Sequence, residues 1–127
     1  MTKQKHTHAP ITIPELLELF EQKRDVRTLV EGKNDVLALA ELGFSYVEEL
    51  EGPLYKVVER YEKGETIQLL VDLDKEGKRL YALLKADLTQ RGVRIDDAVR
   101  EALFRCPVRQ IEDLATWIER SQNDNSI

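Results

Sequence analysis

The run TIQLLV, Thr66 to Val71, constrains this chain more than any other stretch. It is almost continuously apolar instead of alternating, the pattern of a strand covered on both faces, and such strands belong to parallel sheets sandwiched between helices. Its neighbours repeat the theme. Val26 to Val30 is a strand candidate, and Lys33 to Leu42 carries the helical pattern Val36, Leu37, Leu39, Ala40 before Gly43. Phe44 to Val47 offers another strand, and Pro53 opens a helix through Tyr61 that Gly64 closes. Leu80, Leu83, Leu84 and Leu88 mark a long helix ending near Gly92, before a short fourth strand at Val93 to Ile95. This alternation predicts an α/β fold with a parallel, doubly wound sheet, right-handed crossovers and TIQLLV at its centre.

Further helices flank that core. Thr12-Ile13-Pro14-Glu15 reads as a capping box, with Ile11 and Leu16 spaced for a hydrophobic staple. The helix it starts puts Leu16, Leu17, Leu19 and Phe20 on one side and ends in the charged run Glu21 to Asp25. Two C-terminal helices are expected, one from about Asp97 to Phe104 and one after Pro107 with Val108, Ile111, Leu114, Ala115 and Ile118 as its stripe. The organisation is then a disordered tail (1–10), an N-terminal helix (11–25), a core (26–96) and a helical extension of the same domain (97–127). A chain of 127 residues, 42% hydrophobic and 34% charged, suits one compact domain.

Charge and cysteine content exclude several classes. With 24 acidic against 19 basic residues the formal net charge is -5, so the chain lacks the broad basic footprint of a nucleic-acid coat protein. A nucleic-acid partner needs metal ions or a local basic patch. No apolar stretch approaches the ~20 residues of a membrane span, and the start MTKQKHTHAP lacks the apolar segment of a secretory signal, so a cytoplasmic protein with no membrane partner is expected. Cys106 is the single cysteine, which rules out an intrachain disulfide and a multi-cysteine zinc site and leaves a small buried apolar residue. His6 and His8 form an HxH pair, better read as part of a flexible tail than as a metal site.

The chemistry lies in the acids. In an open parallel sheet, ligands bind beyond the carboxyl ends of the strands. Glu31 stands at one such end, in TLVEGKNDV, and Asp72 and Asp74 at another, in VDLDKEG. If those strands are adjacent, their ~4.8 Å spacing brings together carboxylates that lie 41 residues apart in sequence. Asp72 and Asp74, two apart in an extended segment, point the same way. Three crowded carboxylates repel unless a divalent ion neutralises them or one stays protonated, and oxygen-only ligation selects a hard ion, Mg²⁺ or Mn²⁺. The plainer alternative is that Asp74 caps a helix beginning near Lys75, with Glu76 complementing its dipole.

Val30-Glu31-Gly32-Lys33-Asn34-Asp35 followed by Val71-Asp72-Leu73-Asp74-Lys75-Glu76-Gly77 resembles the paired signature of the Toprim domain. That domain is shared by topoisomerases, bacterial-type primases, overcoming-lysogenization-defect nucleases and ribosomal-RNA maturation ribonucleases. The likeness runs from about Val26 to Ile95, and the whole chain is most similar to the small stand-alone Toprim proteins of prokaryotes. It implies a compact Rossmann-like fold with a four-stranded parallel sheet, Glu31 as the catalytic glutamate, and Asp72 and Asp74 as metal-binding aspartates. Glu31 would move a proton or help hold the metal. Gly32 admits a close backbone approach, and Lys33 near a helix N-terminus is placed to meet a phosphate. Asp35 suits a structural role in a first helical turn.

Three functions follow, in order. The first is a small metal-dependent nuclease acting on phosphodiester bonds, with structured RNA as one substrate class. The second is a non-catalytic nucleic-acid- or protein-binding module in a larger complex, and the third is primase-like nucleotidyl transfer. The chain has no room for a topoisomerase strand-passage architecture, and Tyr46, Tyr55, Tyr61 and Tyr81 fall in expected core elements, away from a nucleophile's role. Trp117 is expected to pack in the core or an interface. Arg100, Arg105 and Arg109 are expected on solvated faces, and Lys75, Lys78 and Arg79 begin a helix beside the aspartates, within reach of a phosphate.

Overall fold

The computed structural model describes residues 9–125. Residues 1–8, with His6 and His8, lie outside them, so most of the expected tail does too. Of its last two positions, Ala9 is tethered: its carbonyl accepts from Arg105 Nε at 2.8 Å.

The chain runs α1 (Ile13–Lys23), β1 (Arg27–Val30), α2 (Lys33–Glu41), β2 (Val47–Glu49), α3 (Leu54–Val58), β3 (Thr66–Leu69), α4 (Lys75–Gln90), β4 (Arg94–Ile95), α5 (Ala98–Leu103), a 3-10 turn (Ile111–Asp113) and α6 (Leu114–Asn125). The four strands form one sheet in the order β2-β1-β3-β4, every neighbouring pair parallel. The expected α/β architecture is therefore what forms. TIQLLV is central, as its near-continuous hydrophobicity leads one to expect, with β1 beside it in the register Leu29↔Leu69.

Side-chain alternation along β1 and β3 divides the core in two. Leu29, Ile67 and Leu69 meet Val57 and Val58 of α3 and Leu84 and Leu88 of α4 on one face. Val30 and Leu70 meet Leu16 and Phe20 of α1, Leu39 of α2, Val99 and Leu103 of α5, and Leu114 and Ile118 of α6 on the other. α1 starts with the anticipated capping box, Glu15 N donating to Thr12 Oγ1 at 3.2 Å and Thr12 N to the Glu15 carboxylate at 3.0 Å. Cys106 is buried and free, and burial pushes its thiol up to about 11.

β2 begins at Val47, later than its apolar signal. Phe44 is spent on ending α2: its N–H donates to Leu39 O at 3.0 Å and Gly43 N–H to Ala40 O at 3.0 Å, the paired bonds of a Schellman motif. Gly43 supplies the left-handed backbone this needs, at φ 96°. Phe44 then turns into the core edge-on to Phe20, with ring centroids 5.3 Å apart. β3 stops at Leu69, although Leu70 and Val71 stay buried. Two tyrosines also differ from expectation, because Tyr46 and Tyr55 are exposed, on a strand approach and a helix start whose inward positions are taken by smaller residues. No helix among the described residues is long and apolar enough to cross a membrane.

Candidate functional site

The pairing of β1 with β3 brings the two acidic segments together. Leu70 N donates to Leu29 O at 2.9 Å, and two residues on, where the strands have ended, Asp72 N donates to Glu31 Oε2 at 2.9 Å. Glu31's side chain thus takes the amide that the ladder would next have used. Asp72 Oδ1 accepts from Ile111 N at 2.9 Å, and Leu73 N donates to Arg109 O at 2.7 Å, so the segment before α6 clasps the end of β3. Asp74 is the N-cap of α4, its Oδ1 accepting from Gly77 N at 2.8 Å. The plainer capping role is therefore real, and it occupies one of Asp74's two oxygens. Asp35, in the first turn of α2, accepts from Gly32 N at 3.1 Å.

Gly77 lets these pieces approach. A Cβ built on it would lie 2.0 Å from Asp72 O, and that contact is with backbone, which cannot swing aside. The glycine that ends VDLDKEG is thus required by packing of α4 on the strand end.

The acids raise one another's proton affinity. Burial is the largest influence on Glu31, followed among the raising influences by the charges of Asp72, Asp74 and Glu76. Asp72 is raised by burial and by Asp74 and Asp113. Asp35 is pushed up to about 6, by burial first and then by Asp72 and Glu31. Asp35, expected to be merely structural, is thus also part of the acidic centre.

Arg100 corrects the expectation of a solvated side chain. It is 3% exposed, donating from Nη1 to Val71 O at 2.5 Å and from Nη2 to Asp72 O at 3.1 Å. Its guanidinium carbon lies 4.4 Å from the Tyr81 ring centroid and 5.3 Å from that of Phe104. A charged fork is what can hold two successive carbonyls where no next strand residue does. One signal was present: in AVREAL, Arg100 stands between Val99 and Leu103, inside the apolar arc of a short helix. Arg109 is exposed and Arg105 half-buried. Lys33 is exposed at the first position of α2. None of the four tyrosine hydroxyls bonds to the acidic centre; Tyr61 reaches Glu48 and Tyr81 reaches Asp97.

Glu31, Asp35, Asp72 and Asp74 each keep one carboxylate oxygen without a hydrogen bond to another described residue. Among described side chains Gln68 Oε1 is the one buried polar atom without a partner, so the four free oxygens all reach solvent. Among the described residues no group of three or more His, Cys, Asp or Glu is placed so that it could hold a metal ion as it stands. The four carboxylates offer oxygen alone and repel one another, a donor chemistry of the kind hard divalent cations take.

No protein-family model matches the chain. A solved structure of a protein from Aquifex aeolicus superposes with a TM-score of 0.71 at 30% identity, covering 82% of this chain and 99% of that one. The two chains belong to one family. The chain is also similar to the UPF0292 protein MJ1624 of Methanocaldococcus jannaschii, 25% identical over 116 residues, 83% of this chain and 91% of that one. Both likenesses span most of each chain, so the relatives share a single unit of this size.

Proposed function

We propose that this protein is a Toprim-type, metal-dependent enzyme of nucleic-acid processing, a small nuclease that cleaves phosphodiester bonds. The observation that carries the reading is the bond from Asp72 N to Glu31 Oε2 at 2.9 Å, which ties the two acidic signatures into one centre across adjacent central strands. Glu31, Asp72 and Asp74 would hold Mg²⁺ or Mn²⁺. When bound, such an ion stabilises charge on phosphoryl oxygens and lowers the proton affinity of a coordinated water. Glu31 is the catalytic residue: its raised proton affinity suits a group that takes a proton from an attacking oxygen or returns one to a leaving oxygen. Lys33, exposed at the start of α2, meets a substrate phosphate. Arg100, through the Val71 and Asp72 carbonyls, fixes the strand end from behind. We place the protein in the cytoplasm, with nucleic acid as its partner, a location supported by its single free thiol.

A panel of labelled structured RNAs and DNAs, incubated with Mg²⁺ or Mn²⁺, tests this. Cleavage by the wild type that Glu31→Gln abolishes without loss of fold supports the nuclease. The second reading, a non-catalytic module within a larger complex, draws on the hydrogen bonding of one oxygen on each acid to backbone amides. It would be favoured by an intact panel together with a stably co-purifying partner. Metal-dependent incorporation of labelled nucleotides would instead favour primase-like transfer.

A further inference from the structure

Recesses open on both sides of the acidic centre. One, of about 230 Å³, is bounded by Glu31, Glu76, Arg79, Leu80 and Leu83. The other, of about 460 Å³, lies between the 107–113 segment and α6 and includes Arg109, Asp113, Trp117 and Arg120 in its walls. The first includes a residue of the centre, and the second reaches it through one turn. Glu31 belongs to the first and bonds the Asp72 amide. The 3-10 turn that begins at Ile111, whose amide donates to Asp72 Oδ1 at 2.9 Å, ends at Asp113 in the second.

The two recesses share a chemistry: guanidinium beside an apolar surface. Arg79 stands next to Leu80 and Leu83, the latter 55% exposed. Arg109 and Arg120 flank the half-buried Trp117. Arg79 and Arg120 are exposed and form no ion pair with a described residue. Arg109 commits only Nη1, to the carbonyls of Cys106 and Val108 at 2.9 Å each, leaving Nε and Nη2 for a ligand. In a chain of net charge -5, a polyanion needs metal ions or local cations of this kind to hold it. A duplex hides its base faces, whereas an unpaired strand offers a base to stack on an indole and a phosphate to each guanidinium.

We propose that an unpaired nucleic-acid strand crosses the acidic centre, a base stacking on Trp117 and phosphates resting on Arg109 and Arg120, with the strand continuing over Leu83 and Arg79 on the far side. This rests on the phosphodiester reading and adds to it the strandedness of the substrate and its path.

Trp117 is the single tryptophan of the chain, so its fluorescence reports the stacking step without interference. The Glu31→Gln protein, which leaves the strand uncut, is titrated in Mg²⁺ with fluorescein-labelled 12-nucleotide oligouridylate, oligothymidylate and a blunt duplex of the same length. Quenching of Trp117 that tracks strand binding by anisotropy, with little quenching by duplex, is the expected result. Arg109→Gln/Arg120→Gln should weaken binding and lower the salt slope by about 2, and Arg120→Gln alone, which breaks no bond to a described residue, by about 1 with thermal melting unchanged. Trp117→Leu should weaken it by about 5-fold or more. Binding without quenching, equal quenching by duplex, or no binding of either strand would overturn the path. Cleavage by the wild type without quenching would overturn it while leaving the nuclease reading intact; quenching without cleavage would support the path and count against the nuclease.

Discussion

Asp35 shows how one residue can serve two ends. Its carboxylate accepts from Gly32 N at the start of α2, yet burial and its acidic neighbours push it up to about 6, against about 3.9 for an unperturbed aspartate. The folded chain therefore holds a proton on Asp35 that the unfolded chain releases, and this group's contribution to stability falls as pH rises from about 4 to about 6, opposite in sign to that of Glu48, Glu65 and Asp96, whose proton affinities are lowered. Glu31 and Asp72 shift in the same direction as Asp35 and add to its slope. Asp35→Asn keeps an acceptor for Gly32 and removes the charge, so in chelator it should be more stable at pH 7, by about 2 kcal/mol after allowance for solvent screening. Urea unfolding of both proteins at pH 4.5 and 7 checks this; an advantage of the variant that does not grow with pH would contradict it. Two further positions are set by contact. Gly77→Ala drives a Cβ into the Asp72 carbonyl and should cost about 3 kcal/mol. Arg100→Met strands two carbonyls and should cost about as much in the same assay. Arg100→Lys should rescue little of that loss, because one ammonium replaces a fork seated between two rings. The sequence pointed to Glu31, Asp72 and Asp74 because carboxylates at strand ends are conspicuous. Arg100 was harder to read because its partners are carbonyls, which leave no mark in a residue pattern, and only its place in AVREAL hinted at burial.

Among the elements, those with strong local chemistry were legible and those defined by neighbours were not. Thr12 and Glu15 form the capping box that their spacing announces, and Asp74 caps α4 where the acid precedes Lys75. β2 was misplaced because Phe44 has the hydrophobicity of a strand residue but works as the apolar stop after Gly43. α3 is shorter than Pro53 and Tyr61 suggest, since Tyr61 is buried beyond the helix with its hydroxyl on Glu48. Gly43→Ala should therefore destabilise the chain by about 1 kcal/mol, through the left-handed backbone that ends α2. Thermal unfolding measures the loss, and an unchanged midpoint would show that the Schellman turn contributes nothing.

For the whole molecule, the decisive relation is the adjacency of β1 and β3, which converts two short acidic segments into one centre. Hydrophobic pattern located both strands, but their order in the sheet depends on which helix covers which face, and periodicity alone does not carry that. The C-terminal helices completed the site in a way their apolar stripes did not announce: the Ile111 amide holds Asp72, and the Arg109 carbonyl holds Leu73. The proposed function stands on a divalent-cation site at Glu31, Asp72 and Asp74. Calorimetric titration of Mn²⁺ into the wild type and into Asp72→Asn/Asp74→Asn, both folded by circular dichroism, tests it most directly. One saturable site is expected in the wild type and none in the double variant; equal binding by the two proteins rules the site out.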